Sequence, residues 1–592
     1  MKKSIIFFLS LLWSVSNTFG QMIYVNAANT SGIEDGTEQH PFNTIKEGIN
    51  AATAGNTVVI QSGDYYPEDS WSGNDHTLFL KAGVRLLGSG IYSPRINGNV
   101  VDQEVSNLSI EIDSLGFDEF HFARGTIAGP FDGRNIIRNC WTNLISLPFG
   151  AGIPLNDTTP GPNYGFLIEN NSLGSDGIIE FKQGAGVSEL SVLNNSCGYI
   201  YIKSGAGYTY LIDKNDVFYG IFDKSSANTT TISNNHIYNG LISDLSGGLG
   251  GETENEIIVN NTIKANENSP AFADEEYKAG IIAKSSSVTI RNNTITCTGN
   301  VSGIRSSAGA PMHIIDNIIT LDEVSQPNPD PYEGTIGIFN YSGWGYVKGN
   351  VIHGGNLGYF SKAGTVEFAN NDIMNSYTGF YSMGAEVVHH NNIQNCKGDG
   401  MILNGVKGPV FNNNITNNAG SGIRVIRTPI DLGGGANNGY GNNVLMQNGN
   451  YDLYIETSSE QYPVLYAKFN VWDHDNADQI SQLDIRDGRD STGLVTVDFT
   501  PWGGLGIEEP DNSGVVICPN PVRDKFTMQN VKCHMQECRI ELVDLYGKVV
   551  AECVWETGSE VMEIDVSHLS PGIYFVRIDT DDKYVVKKLI KQ

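Results

Sequence analysis

Val288-Thr289-Ile290-Arg291-Asn292-Asn293-Thr294-Ile295 is a short alternating strand, a pair of asparagines and then a branched aliphatic. The same phrase returns as Asn170-Asn171-Ser172-Leu173, Asn194-Asn195-Ser196-Cys197, Asn234-Asn235-His236-Ile237, Asn260-Asn261-Thr262-Ile263, Asn370-Asn371-Asp372-Ile373, His390-Asn391-Asn392-Ile393 and Asn412-Asn413-Asn414-Ile415. With looser variants included, the aligned asparagine falls at Asn139, Asn171, Asn195, Asn215, Asn235, Asn261, Asn293, Asn317, Asn350, Asn371, Asn391, Asn413 and Asn443. Five of the twelve intervals are 20 to 22 residues and none is shorter, so the chain is a stack of similar units with insertions in some of them. Some 12 to 15 residues before many of these asparagines stands a glycine followed by an apolar residue, as in Gly220-Ile221, Gly303-Ile304, Gly337-Ile338, Gly358-Tyr359, Gly379-Phe380 and Gly400-Met401. Short strands repeating in turns of about 21 residues predict an all-β fold, a right-handed parallel β-helix of about 13 coils. Coils stack at ~4.8 Å, so equivalent side chains form columns. Asparagine tolerates a left-handed corner, and its amide can hydrogen-bond up and down such a column. Glycosylation acceptors such as Asn292-Asn293-Thr294 would not explain the spacing.

The 592 residues exceed one ordinary domain, but a solenoid grows along a single axis. A net charge of -29 argues against nucleic acid as partner and leaves no basic patch for an anionic membrane. Such a surface also repels a polyanionic glycan unless local cations or Ca²⁺ intervene. Eight cysteines are too few for a disulfide scaffold. Cys140, Cys197, Cys297 and Cys396 each fall just after a ladder asparagine and are expected to be buried thiols.

Lys2 and Lys3 precede an apolar run from Ile5 to Val15, so residues 1–20 are expected to be a secretory signal peptide. The run is too short for a membrane span, and no later stretch qualifies. Residues 21–502 are assigned to the β-helix, opened by a helical cap. Thr44 and Glu47 form a capping box there, Ile45, Ile49 and Ala52 share one face, and Gly55 follows. Tyr24-Val25-Asn26, Pro41-Phe42, Ala54-Gly55-Asn56-Thr57-Val58-Val59-Ile60 and Gly63-Asp64-Tyr65-Tyr66 resemble the N-terminal cap of secreted pectate-lyase-like β-helix proteins. That resemblance covers the opening stretch and implies the fold; it leaves the reaction open, because such folds host lyases, hydrolases and non-enzymes.

Insertions are expected at Lys264–Lys278 and Asp322–Glu333, just before a glycine strand, and at Ser243–Asn255 and Arg427–Asn438, just after one. A fifth, Ile145–Asn163, hides the glycine strand of its own coil. Trp472-Asp473-His474 is similar to a motif of some pectate lyases, yet it lies after the last clear coil and equally fits a closing coil. After a linker at 503–514, residues 515–592 alternate as a small β-sandwich. Cys518-Pro519-Asn520-Pro521, Leu545-Tyr546-Gly547-Lys548 and Gly572-Ile573-Tyr574-Phe575-Val576 resemble the C-terminal sorting domain of the Bacteroidota type IX secretion system, although Cys518 stands where Tyr is usual. The resemblance implies the type IX machinery as partner. It also implies export to the cell surface or medium, with release or attachment to surface glycolipid. Cys533 and Cys538 are either a hairpin disulfide or an incidental pair.

In pectate-lyase-like proteins an equivalent sheet lines the sugar groove. The residue after each glycine is apolar and should point inward, so the second and fourth after it point out. These outward residues include Ile282 and Lys284, Arg305 and Ser307, Phe339 and Tyr341, Phe360 and Lys362, Tyr381 and Met383, then Ile402 and Asn404. Phe339, Tyr341, Phe360 and Tyr381 with neighbouring cations make a carbohydrate-binding platform, unless loops bury this face as well. Two acidic insertions should overhang it. Asp274, Glu275, Asp322 and Asp330 are the oxygen donors that could hold Ca²⁺, or they are solvated loop charge. β-Elimination needs a base for the C5 proton, Lys or Arg in lyases of this kind, which nominates Arg305, Lys284 and Lys362; the alternative is plain surface cations. The aspartates and Gly-His-Gly of polygalacturonases are absent, as is the Arg-x-Pro-x-x-Arg of the commoner pectate lyases. His389-His390 shows no obvious partner, and one ring is expected to face solvent. The expectation is a monomeric exported protein that binds an acidic polysaccharide. If it is an enzyme, it is a polysaccharide lyase or glycoside hydrolase; the alternative is a non-catalytic adhesin or structural β-helix.

Overall fold

The asparagine column is the spine of the molecule. In the computed structural model, each coil turns a corner on one residue of positive φ: Asn170, Asn194, Asn234, Asn260, Asn292, Asn370, His390 and Asn412 all lie between 53° and 57°. The next residue points inward. Asn171, Asn195, Asn215, Asn235, Asn261, Asn293, Asn317, Asn350, Asn371, Asn391, Asn413, Asn443 and Asn470 are all buried. From Asn195 onward, each side-chain oxygen accepts from the backbone and side-chain nitrogens of the asparagine one coil earlier; Asn261 N and Nδ2 reach Asn293 Oδ1 at 2.9 and 3.0 Å. Each amide nitrogen also donates to a strand carbonyl, as Asn293 Nδ2 does to Ile258 O at 2.9 Å. A buried primary amide is thereby satisfied at both ends, which is the condition for burying it at all.

The column corrects two alignments. Asn139 is the corner residue (φ 54°), not a ladder member, and Cys140 takes the inward place, its N–H donating to Asn171 Oδ1 at 2.9 Å. The ladder also runs one coil further than expected, because Asn443 Nδ2 donates to Asn470 Oδ1 at 3.0 Å.

The structure describes residues 20–592 except 72–73, 91–92, 103–107, 123–133, 148–164, 182–188, 203–208, 225–228, 245–254, 274, 276, 285–286, 307–310, 329, 331, 333, 428–429, 436–440, 458–461, 504–515, 519–521, 530–536, 545–547, 557–560, 571, 580–583 and 592. The signal segment, most of the Ile145–Asn163 and Ser243–Asn255 insertions, and Cys533 lie outside the described residues. Strands leading into the asparagine corner form one parallel 16-stranded sheet, from Met22–Val25 to Val410–Phe411. Strands after the corner pair only with their counterparts one coil away, and so do the glycine strands. Inward residues from all three lines make one continuous core.

The glycines mark a close approach. A methyl group on Gly303, Gly337, Gly358, Gly379 or Gly400 would come within 2.4–2.6 Å of Cγ2 of Ile319, Ile352, Ile373, Ile393 or Ile415. Only a residue without Cβ lets the glycine strand and the post-corner strand close on each other there. Cys140, Cys197, Cys297 and Cys396 are buried in this core. At the N-terminal end the helix Ile45–Ala51 has both halves of the Thr44–Glu47 capping box and buries Ile45, Gly48 and Ile49. Gly48 sits against Val25 and Val58, so the helix closes the first coils.

At the other end Ile485–Arg486 pairs with Leu453–Tyr454, and Thr496–Asp498 with Val464–Tyr466. Residues up to Leu505 form one compact unit, and Gly506–Gln592 form another. The second unit holds a three-stranded and a four-stranded antiparallel sheet. Phe526, Met528, Ile540, Leu542, Trp555, Val576 and Ile578 fill its core. No helix among the described residues is long and apolar enough to cross a membrane.

Candidate functional site

Strand alternation puts the residue after each glycine into the core: Ile281, Ile304, Ile338, Tyr359, Phe380 and Met401 are all buried there. The next residue turns outward, and parallel pairing lines these up as Ile282, Arg305, Phe339, Phe360, Tyr381, Ile402, Arg424, Tyr454 and Arg486. Outward does not mean exposed. Phe339 is 4% and Phe360 0% accessible, because the insertion ending near residue 333 lays Tyr332 over them. The Tyr332 ring meets Phe360 edge-on, centroids 5.2 Å apart. Ile336, Phe339, Leu357 and Phe360 thus form an apolar cluster outside the main core, flanked by Tyr332, Tyr381 and Met383. Neither phenylalanine face is open to a ligand. The expected platform narrows to Tyr341, 43% exposed, and to Tyr381, which is half-buried with its hydroxyl accepting from Asn404 Nδ2 at 3.3 Å.

The cations are held by rings of this same patch. Arg305, 9% exposed, has its guanidinium 4.1 Å from the Tyr277 ring centre and 4.4 Å from that of Phe339. Tyr277, at 39% exposure, comes from the other acidic insertion. Lys362 Nζ donates to Tyr341 Oη at 2.9 Å and lies 4.3 and 5.2 Å from the ring centres of Tyr341 and Tyr332. That hydrogen bond moves the Lys362 pKa up, opposing the smaller effect of desolvation. A lysine that acts as base near neutral pH needs the opposite shift, so Lys362 stays an ammonium. A guanidinium is not deprotonated in proteins, and Arg305 is already stacked between two rings. Lys284 lies half-buried just past the strand Ala279–Ala283. The patch can attract and seat an anion.

Among the described residues, the expected calcium donors do not gather into one cluster. Asp274 lies outside the described residues. Glu275 Oε1 accepts from Ser243 Oγ at 3.1 Å, Asp322 Oδ2 from Gly299 N at 2.7 Å, and Asp330 Oδ1 from Tyr332 N at 2.9 Å. Glu275 and Asp322 tie their loops to a neighbouring coil, Asp330 fixes a turn of its own loop, and Asp322 and Asp330 remain exposed.

Carboxylates converge instead at the closing coil, where Asp452, Asp473 and Asp484 bring oxygens within 4.8 Å of one another. Asp452 accepts from Asn448 Nδ2 at 2.8 Å and from Asp473 N at 3.1 Å. Asp484 accepts from His474 N at 3.1 Å, and its other oxygen is 2.6 Å from His474 Nδ1. Burial pushes the Asp452 pKa up to about 7. Trp472 is buried beside Phe499, with ring centroids 6.5 Å apart. Trp472-Asp473-His474 therefore carries the hydrogen bonds of a closing coil.

Sequence reasoning missed Arg424, Tyr454 and Arg486. Arg424 donates to Glu456 Oε1 at 2.6 Å, and Arg486 lies 4.5 Å from the Tyr454 ring centre. Continuing the glycine-plus-two register through Gly422 finds the first of them. Upstream, Tyr199, Tyr201, Tyr219 and Phe222 stack with centroids 4.9–5.4 Å apart in consecutive coils.

Two family models match the chain. Residues 516–592 match a secretion system C-terminal sorting domain. Residues 268–478 match a family of proteins of unknown function (DUF1565). No curated protein matches it.

Proposed function

We propose that this chain, an exported parallel β-helix protein that reaches the cell surface or medium through its type IX sorting domain, binds an acidic polysaccharide there. The binding face is the patch of Tyr277, Arg305, Tyr341, Lys362 and Tyr381. One observation carries this reading: in a chain of net charge -29, Lys362 and Arg305 are held against exposed tyrosines on one outer face. Fixed cations draw carboxylates, and tyrosine rings and hydroxyls suit sugar faces and their hydroxyl groups. Ca²⁺ enters as a bridge from Asp322 or Asp330 to the glycan carboxylates, the oxygen chemistry that ion prefers. Binding is favoured over β-elimination by the upward shift of Lys362.

The test is incubation with pectate, alginate and chondroitin, with and without EDTA, followed by retention on immobilised glycan and by absorbance of the unsaturated product. Retention without new absorbance is expected. Rising absorbance would make the protein a lyase. A second reading, a non-catalytic adhesin or structural rod, draws on the burial of Phe339 and Phe360 under Tyr332. It gains if no glycan of the panel is retained.

A further inference from the structure

His389-His390 lies on another sheet, apart from the glycan face, where one coil departs from the repeat. The left-handed corner that most coils give to asparagine is His390 here, with φ 56°. His389 ends the strand Val387–His389 and lies parallel to the Phe411 ring of the next coil, centroids 5.0 Å apart at 14°. Its Nε2 is 3.0 Å from Glu367 Oε1, and that oxygen also accepts from Lys348 Nζ at 2.8 Å. An ionised carboxylate only accepts, so His389 Nε2 carries a proton, and in the neutral ring Nδ1 keeps its lone pair. That Nδ1 stands 2.7 Å from His390 Nδ1, the rings at 86° to each other, and His390 Nε2 stands 3.3 Å from Asn412 Nδ2. Two lone pairs do not face each other at this distance without something positive between them. A proton on His390 Nδ1 is one such thing; a metal ion is the other.

We propose that His389 and His390 bind one divalent transition-metal ion of the imidazole-preferring kind, Zn²⁺, Ni²⁺ or Cu²⁺, through their Nδ1 atoms. Imidazole nitrogen suits these ions, and ligating histidines habitually donate their other N–H to a carboxylate, the place Glu367 holds for His389. Metal–nitrogen bonds of about 2.0–2.1 Å need the two Nδ1 atoms to part by roughly half an ångström. The half-buried His390 ring at the corner supplies that movement, because His389 is fixed by Glu367 and Phe411. On binding, the proton of His390 Nδ1 passes through solvent to Nε2, where Asn412 turns its amide to accept it, and water completes the coordination. Lys348 does not repel the ion strongly, because Glu367 already neutralises it.

The test is calorimetric titration of the untagged, chelator-treated mature chain with Cu²⁺ and with Zn²⁺. One saturable ion per chain is expected for at least one of the two metals. His390→Asn keeps the corner, since asparagine holds the same φ in neighbouring coils, and should abolish that binding without moving the melting temperature. Glu367→Gln should weaken it about 10- to 100-fold, as loss of a ligand's orienting partner does. The copper spectrum should show nitrogen coupling that His390→Asn removes. No saturable binding of either metal, or binding that survives His390→Asn, would overturn the proposal.

Discussion

Replacing Asn293 by Ala tests the ladder where its bonding is fully accounted for. Asn293 Oδ1 is the acceptor for Asn261 N and Asn261 Nδ2. Its Nδ2 donates to Ile258 O, Arg291 O and Asn317 Oδ1. The truncation strands the buried N–H of Asn261 and takes a donor from Ile258 O and from Asn317 Oδ1. Stranding a buried polar group costs about 1–3 kcal/mol and each of the two lost bonds about 1 kcal/mol more, so a loss of roughly 3–5 kcal/mol is expected. Asn292→Ala one residue earlier is the control. Asn292 is exposed and does its work through a φ of 55°, so its loss should cost only about 1 kcal/mol, and Asn292→Gly less. Asn293→Asp adds a pH signature. The new carboxyl would face the Ile258 and Asn317 acceptors, which raises its folded-state pKa. Stability is then retained in acid and lost as pH rises through that value. Repeat rods need not unfold in one step, so urea titration by circular dichroism should be paired with hydrogen exchange at the Asn261 and Asn293 amides. If Asn293→Ala is no worse than Asn292→Ala, or if Asn261 keeps its protection, the reasoning about the ladder is refuted.

Gly379→Ala would set a methyl 2.4 Å from Ile393 Cγ2 and 2.7 Å from Gly400 O, at an expected cost of about 1–3 kcal/mol in denaturant midpoint analysis. Adding Ile393→Leu, which moves the branch off Cβ, should recover part of that loss. For Asp452, burial raises the pKa from 3.8 to about 7. Its contribution is most favourable in acid and is lost as pH climbs through about 7, so melting curves should show the closing coil weaker at pH 8 than at pH 5. Burial lifts the thiols of Cys140, Cys297 and Cys396 to about 12 and that of Cys197 in the same direction. All four should resist a disulfide reagent in the native protein and react on denaturation.

The fold was readable because a 21-residue period converts directly into columns. Even the inward and outward faces of Phe380 and Tyr381 follow from alternation. The misassigned Asn139 shows where this stops: asparagine suits both the left-handed corner and the ladder place, and only the packing of Cys140 tells them apart. Asn470 was missed because its coil continues into a short helix at Ala477–Gln479 rather than a glycine strand. At the site, the direction of Phe339 and Phe360 was legible but their cover was not. Tyr332 reaches them from an insertion, and where a loop folds back is decided by non-local contacts. The Glu367–His389 pair was within reach, since the two residues lie 22 apart, one coil length. The meeting of Asp452, Asp473 and Asp484 was not, because the closing coil breaks the period that made the others visible.

The central claim is most directly tested by the retention of the mature protein on immobilised pectate across a salt series, wild type against Lys362→Glu and Tyr341→Ala. Wild-type retention should fall as salt screens the fixed cations, and each variant should elute with about tenfold weaker affinity while melting as wild type does. Retention that is indifferent to salt and unchanged by both substitutions would contradict the account.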